Sequence, residues 1–187
     1  MGAIARTWPA GMTRNRGMAL FISLVLLLVL TIIGVSAVQT SSLETRMARN
    51  EHDVLLAFQA AESALRDAED FLETVTALNG FTAGGGSGLW NLPALGEPNR
   101  WEDADIWAGN GSVVAPTSVG TVVAEDPRYF IEHIASIERE ENAYQIDDPY
   151  SVTATDRIEI FRITALGTGG TANARVMLQT TYGRVLD

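Results

Sequence analysis

The sequence contains no cysteine and no lysine, and each absence excludes a class of protein. Without cysteine, no disulfide constrains the unfolded chain, so the fold depends on burial or on a partner. All 13 basic residues are arginine, and with 23 acidic residues the net charge is −10. Because binding to phosphates needs clustered cations and no basic patch is visible, we expect no nucleic acid partner.

The motifs of common enzymes are also missing. The chain has no GxSxG, HExxH, Walker or CxxC pattern, and its only histidines are His52 and His133. His52 falls on the polar side of a helical pattern, where we expect it to be solvated, and His133 falls in a strand pattern, where we expect a structural role. The sequence therefore predicts no catalytic residue, no cofactor and no enzymatic activity.

What the chain does contain is a long apolar run at residues 18–38, without a charged residue. Its 21 residues form about 31 Å of helix, which matches a hydrocarbon core of about 30 Å. Fourteen of them are Leu, Ile, Val or Phe. Their favourable contribution to membrane insertion outweighs the cost of the few small or polar residues. The run predicts one membrane span.

Arginines before the run predict its orientation. Arg6, Arg14 and Arg16 precede it, and the next arginine is Arg46. By the positive-inside rule the leader at residues 1–17 stays in the cytoplasm, and residues 39–187 cross the inner membrane. Removal of the leader would take away three arginines and change the net charge from −10 to −13.

A helical pattern continues beyond the span, through residues 39–79, as one helix from Met18 to about Leu78. Apolar residues recur there in steps of three, four or seven, which indicates one buried stripe. The predicted stripe comprises Met47, Val54, Phe58, Ala61, Leu65, Ala68, Leu72 and Val75. Asn79 and Gly80 supply a stop signal.

The segment 80–187 predicts loops followed by a sheet. The glycine-rich residues 84–88 indicate a flexible loop. Trp90, Trp101 and Trp107 lie in an irregular stretch and predict a lid packed on the main domain. Strand patterns cover residues 119–124, 129–137, 157–166 and 174–182. The fold class is therefore α+β, a helix packed on an antiparallel sheet of about four strands.

Two acidic clusters could offer oxygen ligands to Ca²⁺. One comprises Glu102, Asp103 and Asp105 beside residues 109–111; the other comprises Glu138, Glu140, Glu141, Asp147 and Asp148. The first does not have the spacing of an EF-hand loop, because Trp107 stands at an expected ligand position. We interpret both as solvated loops, with Ca²⁺ binding as the alternative.

Gly17 followed by the apolar residues 18–30 resembles the class III signal of type IV pilins, which a prepilin peptidase cuts after the glycine. Residues 39–50 and 57–66 resemble the N-terminal region of PilX-type minor pilins, and residues 161–167 and 174–182 are similar to the closing hairpin of that family. The resemblance is strong over residues 14–75 and 157–184 and weak between them.

The resemblance implies a pilin-like fold and a minor pilin that primes type IV pilus assembly and sits at the tip. It implies cleavage between Gly17 and Met18 by the peptidase, and other minor pilins and the major pilin as partners. The residues expected to serve membrane insertion and helix packing are Leu20, Phe21, Ile22, Leu24, Leu27 and Val38. The protein would start in the inner membrane and end in the filament.

Ile22 departs from the major pilins, which carry Glu five residues after the cleavage point. That carboxylate pairs with the amine of a neighbouring subunit, so its absence favours a specialised or terminal position. Three alternatives remain open: a pseudopilin of a type II secretion system, a single-pass anchored adhesin, and a secreted protein cut near residues 35–37. The K-type pseudopilin also lacks the early Glu, but that family is expected to have a larger globular region.

Overall fold

The computed structural model describes residues 16–116, 122–138 and 157–186. They belong to two compact units, bounded by Met1–Ala48 and Arg49–Asp187. Helix α1, Arg16–Glu73, supplies all described residues of the first unit and the first residues of the second. The prediction of one long helix beginning at the apolar run is confirmed.

The second unit is built on a sheet. Its elements after α1 are β1 (Leu89–Trp90), α2 (Ala104–Ala108), β2 (Val113–Val114), β3 (Arg128–Glu138), β4 (Arg157–Thr168) and β5 (Arg175–Val185), with 3₁₀ turns at Leu78–Gly80, Gly86–Gly88 and Arg100–Glu102. The strand order is β1-β3-β4-β5, and β2 also pairs with β3. The α+β prediction is confirmed.

The sheet differs from the predicted one in strand number and direction. It has five strands instead of about four, and β1 pairs with β3 in parallel, with Leu89 opposite Ile131. Two-residue strands such as β1 and β2 are too short to show a period of two, so no sequence pattern could reveal them. The long strands β3, β4 and β5 are antiparallel and agree with three of the four predicted runs.

One face of the sheet packs on α1. Ala64, Ala68 and Leu72 of the helix form a core with residues of β3 and β4. The strand residues of that core are Tyr129, Ile131, Phe161, Ile163 and Ala165. Full burial of a side chain such as Phe161 or Ile163 contributes about 2 kcal/mol. Burial in this core therefore holds a domain that has no disulfide.

The buried stripe of α1 differs from the predicted stripe. Ala61, Ala68 and Leu72 are fully buried as expected, but Met47, Val54 and Phe58 are exposed. The fully buried positions also include Ala57, Ala60 and Ala64. The reason is close backbone approach, since a Cβ atom on Gly167 of β4 would lie 2.2 Å from the carbonyl oxygen of Ala57. Only small helix residues fit there.

Helix α1 ends at Glu73, five residues before the predicted end. Arg184 of β5 donates hydrogen bonds from Nη1 to the carbonyl oxygens of Leu72 and Val75. A basic side chain that binds the last carbonyls caps a helix C-terminus. The predicted stop at Asn79 and Gly80 instead falls in a separate 3₁₀ turn.

The glycine-rich segment forms a 3₁₀ turn in which two glycines are packed against the domain, a contact that the sequence analysis did not predict. Gly85 and Gly88 are buried, and both have positive φ, 61° and 72°. A Cβ atom on Gly85 would lie 1.9 Å from the ring of Trp90, so glycine is needed for conformation and for space. The turn brings β1 alongside β3.

The strand predicted at residues 119–124 is not found in its described part. Residues 122–124 form a turn and bends, while residues 119–121 lie outside the described residues. The amide of Ala124 donates to the carbonyl oxygen of Gly169 in the β4–β5 turn, at 2.7 Å. This loop contact replaces a strand ladder.

Candidate assembly site

The predicted processing junction lies in the first turn of α1. Gly17 and Met18 are both exposed, and a Cβ atom on Gly17 would meet no atom within 4 Å. No described part of the chain therefore packs over this peptide bond. The structure does not test cleavage, which stays a prediction.

The apolar residues predicted for insertion and packing are all exposed on α1. Their exposed fractions run from 57% for Ile22 to 72% for Leu20, and include 71% for Val38. The others are Phe21, Leu24 and Leu27. Because large apolar side chains are normally buried when a chain can bury them, this surface indicates a medium or partner outside the described chain.

Two polar side chains within the apolar run are satisfied by the helix itself. The hydroxyl of Ser23 donates to the carbonyl oxygen of Leu20 at 2.8 Å, and that of Thr31 donates to the carbonyl oxygen of Leu27 at 2.7 Å. A hydroxyl bonded in this way has little unsatisfied polarity in an apolar medium. The helix is long and apolar enough to cross a membrane.

The domain carries a buried ionic cluster that the sequence analysis missed. Glu132 of β3 is fully buried and accepts hydrogen bonds from two arginines. Nη1 of Arg100 lies 2.9 Å from Oε1, and Nε of Arg162 lies 2.8 Å from Oε2. A buried charge of this kind requires such partners, because an unpaired carboxylate would carry the full desolvation penalty. No spacing in the sequence signals this cluster.

Two of the three tryptophans, Trp101 and Trp107, form a lid on the second face of the sheet, whereas Trp90 is a residue of β1 itself. The ring of Trp107 lies 5.2 Å from that of Phe130 between centroids. The guanidinium of Arg100 lies 4.7 Å from the ring of Trp90, and that of Arg162 lies 5.0 Å from the ring of Trp101. Cation–π contacts therefore join Trp90 and Trp101 to the ionic cluster around Glu132. The predicted packing on the main domain is found for Trp101 and Trp107, and the prediction was wrong in placing Trp90 in an irregular stretch.

His133 has a structural environment, as expected. Its Nε2 lies 2.7 Å from Oε2 of Glu159, and the hydroxyl of Ser136 donates to the same carboxylate. The Ser136 hydroxyl also lies 3.5 Å from Nε2 of His133, so the same ring nitrogen faces both the serine and the acid. In a nucleophile–base–acid relay the base uses one ring nitrogen for each partner, which is a different arrangement. His52 is exposed on α1, also as expected.

The β4–β5 hairpin is fixed to α1 at both of its ends. At the turn, the backbone amide and hydroxyl of Thr171 donate to the carboxylate of Asp53, the amide at 3.1 Å. At the far end, the hydroxyl of Tyr182 donates to Glu73, and this bond to a carboxylate raises the pKa of Tyr182. The hairpin and the second half of α1 therefore form one packed body.

The first acidic cluster makes local contacts. Glu102 accepts a hydrogen bond from Asn99, and Asp103 accepts from the amide of Asp105 at the start of α2. In residues 16–116, 122–138 and 157–186, no group of three or more acidic or histidine side chains is arranged to hold a metal. Glu140, Glu141, Asp147 and Asp148 of the second cluster lie outside the described residues.

Comparison with known protein families covers nearly the whole chain. The family described as PilX N-terminal matches residues 16–66, and the one described as type IV pilus assembly protein PilX C-term matches residues 58–184. The chain belongs to the PilX family. PilX proteins are structural proteins of type IV pilus assembly, so involvement in that process follows, and so does interaction with other pilins.

The PilX match includes residues 76–156, where the sequence resemblance was weak. Together with the exposed apolar half of α1, it supports membrane anchoring of this PilX protein. Neither the curated proteins nor the solved structures that were compared give a match to the chain.

Proposed function

We propose that this PilX protein is a minor pilin that primes type IV pilus assembly with other minor pilins and occupies the pilus tip. A prepilin peptidase cuts between Gly17 and Met18, and the apolar half of α1 then moves from the inner membrane into the filament. The observation that carries the proposal is the complete exposure of residues 17–48 in a chain of this family. A helix surface of this size needs lipid or other helices around it.

Ile22 supports the specialised position. It stands at the fifth residue after the proposed cleavage point, where the resemblance places the glutamate of major pilins, and its apolar side chain is 57% exposed. A subunit without a carboxylate there cannot pair with the amine of a neighbour. Ile22→Glu tests this point, since unchanged incorporation into pili would argue against a role for the missing carboxylate.

The first experiment measures the N-terminus of the membrane-extracted protein by intact mass, in matched cells with and without prepilin peptidase. We expect a start at Met18 only when the peptidase is present, and an intact leader when Gly17 is replaced by a bulky residue. An intact leader in both strains would favour a plain membrane anchor. A start near Val38 would favour conventional secretion.

A second experiment separates the pilus from a secretion system. Deletion of this gene should reduce the number of surface pili, with secretion of type II substrates unchanged. If the wild-type chain restores the number of surface pili and the Gly17 variant does not, pilus formation depends on the processed protein. Normal pili with impaired secretion would instead identify a pseudopilin and overturn the proposed function.

A further inference from the structure

We propose that the outer edge of β5 is a docking site for an extended segment of another pilin subunit, which adds to the sheet as a further strand. This inference rests on the proposed function, because it takes the partner to be a pilin of the same assembly. The sheet has β1 and β2 beside β3 on one side and ends with β5 on the other, and these two sides are built differently.

The edge of the sheet at β3 is protected against pairing with a further strand, as sheet edges in natural proteins usually are. Among the described residues, only the two-residue strands β1 and β2 pair along it, and the register between β3 and β4 shifts between His133 and Ala135. Very short edge strands and bulges prevent a foreign strand from pairing with a sheet. This edge is therefore poorly suited to a partner strand.

The side at β5 has none of these protections. All 11 residues of Arg175–Val185 pair with β4 in one unbroken register. Residues 176–183 contain no charge and no proline, and within the described residues no strand pairs with the outer side of β5. A long, regular, uncharged edge of this kind presents a row of backbone donors and acceptors, which an added strand would satisfy.

Charge and attachment favour a different pilin over a second copy of this chain. The protein carries a net charge of −10, so two copies repel each other. The arginines that bound the uncharged stretch already have partners in the chain, Arg175 in Glu125 and Arg184 in Glu73 and the end of α1. The edge between them therefore offers a partner strand its backbone groups and uncharged side chains. Asp53, Glu73 and the β4–β5 turn hold the hairpin in place, so the edge is formed before a partner arrives.

The test uses the absence of cysteine. The full-length Gln179→Cys variant carries a single thiol on an exposed side chain of β5, and Asp70→Cys carries one on an exposed side chain of α1 as the matched control. Each is produced in cells with one other pilin of the same organism at a time and labelled with a thiol-reactive photocrosslinker. We expect a crosslink from position 179, and not from position 70, to one particular pilin.

A pair of proline variants asks whether the contact is a strand pairing. Backbone N–H groups of a strand alternate in direction, so in one of Thr180→Pro and Thr181→Pro the lost N–H points away from β4. That variant should keep the wild-type unfolding midpoint and lose the crosslink from position 179. Retention of the crosslink in the stable variant would overturn the proposal.

Three other results would also overturn it. These are a crosslink only between copies of this chain, equal crosslinking from positions 179 and 70, and slow hydrogen exchange of those β5 amides that point away from β4 in the isolated full-length protein, which would mean that the outer edge is already paired. If the Gly17 variant still abolishes pili in such a case, the proposed function stands without the docking site. If deletion of the gene leaves pili unchanged, the function itself fails.

Discussion

Residues 17–48 and the unit from Arg49 onward differ in which side chains they bury. The first region exposes large hydrophobic side chains, and the second buries small ones and even charged ones. In the first region leucines such as Leu20 and Leu27 are 72% and 67% exposed. In the second, the fully buried positions include five alanines of α1 and the charged Glu132. The comparison shows that burial depends on the partners available to a side chain, and hydropathy alone does not determine it.

Among the variants that test this comparison, the one that removes the buried carboxylate of Glu132 should have the largest effect, a loss of unfolding free energy. Glu132→Ala leaves Arg100 and Arg162 without their shared carboxylate, and loss of one partner from a buried ion pair costs about 4 kcal/mol of unfolding free energy. Denaturant unfolding of the detergent-solubilised chain, followed by tryptophan fluorescence, measures it. Glu51→Ala, at an exposed site on α1, should stay within about 0.5 kcal/mol of wild type. Equal loss in both variants would contradict the role of the cluster.

A charge in the middle of the apolar run should have the next largest effect. Leu28→Lys replaces a favourable residue by one that opposes insertion, a change of about 3 kcal/mol at the centre of a span. The protein remaining in the membrane fraction after an alkaline wash should fall. Leu43→Lys changes an equally exposed leucine outside the run and should leave that fraction unchanged. A fall in both would mean that the anchoring segment extends beyond residues 18–38.

Replacing a glycine by alanine should have a smaller effect, and it should lower the unfolding free energy in the packed domain but not in the exposed helix of residues 17–48. In Gly167→Ala the new Cβ would lie 2.2 Å from the carbonyl oxygen of Ala57 and 2.3 Å from the amide nitrogen of Ala61. Overpacking of this kind should cost about 2 kcal/mol in unfolding free energy. Gly34→Ala meets no atom within 4 Å, so domain stability should be unchanged. A stable Gly167→Ala would show that α1 can move away from the sheet.

Alkaline pH should give the smallest effect. Because the bond to Glu73 raises the pKa of Tyr182, the folded state holds that proton more tightly than the unfolded state does. The resulting stabilisation is complete below pH 10.0, the usual tyrosine pKa, and is lost as pH rises through the higher folded pKa. Tyr182→Phe and Glu73→Gln should both flatten this decline in unfolding midpoint. A decline as steep as that of wild type would argue against the bond.

Much of the architecture could be predicted because its signals are local. The apolar run, the long helix and the strands β3, β4 and β5 each follow from a period or a composition within one segment. The packing of Trp101 and Trp107 on the domain could be predicted because both lie in a loop-rich stretch, whereas the place of Trp90 in β1 could not. The α+β class needed only these elements in this order.

The incorrect predictions concern contacts between distant segments. The predicted stripe on α1 wrongly included the large residues Met47, Val54 and Phe58, which are exposed. At the contact with Gly167, more than a hundred positions away, only small helix residues fit. The packing of Gly85 against Trp90 was not predicted, because it depends on the turn between these two residues. No motif connects the residues of the ionic cluster, because Arg100 lies 32 positions before Glu132 and Arg162 lies 30 positions after it.

The sequence by itself determined that this protein has an apolar helix suited to a membrane, a second, amphipathic helical half and a domain built on a sheet, because hydropathy and backbone preference act over a few residues. The tertiary structure decided which face of α1 is buried, where α1 ends, how Glu132 is neutralised and which edge of the sheet is left unprotected. Each of these depends on how closely two backbones approach or where two charges meet. Those distances exist only after the chain has folded.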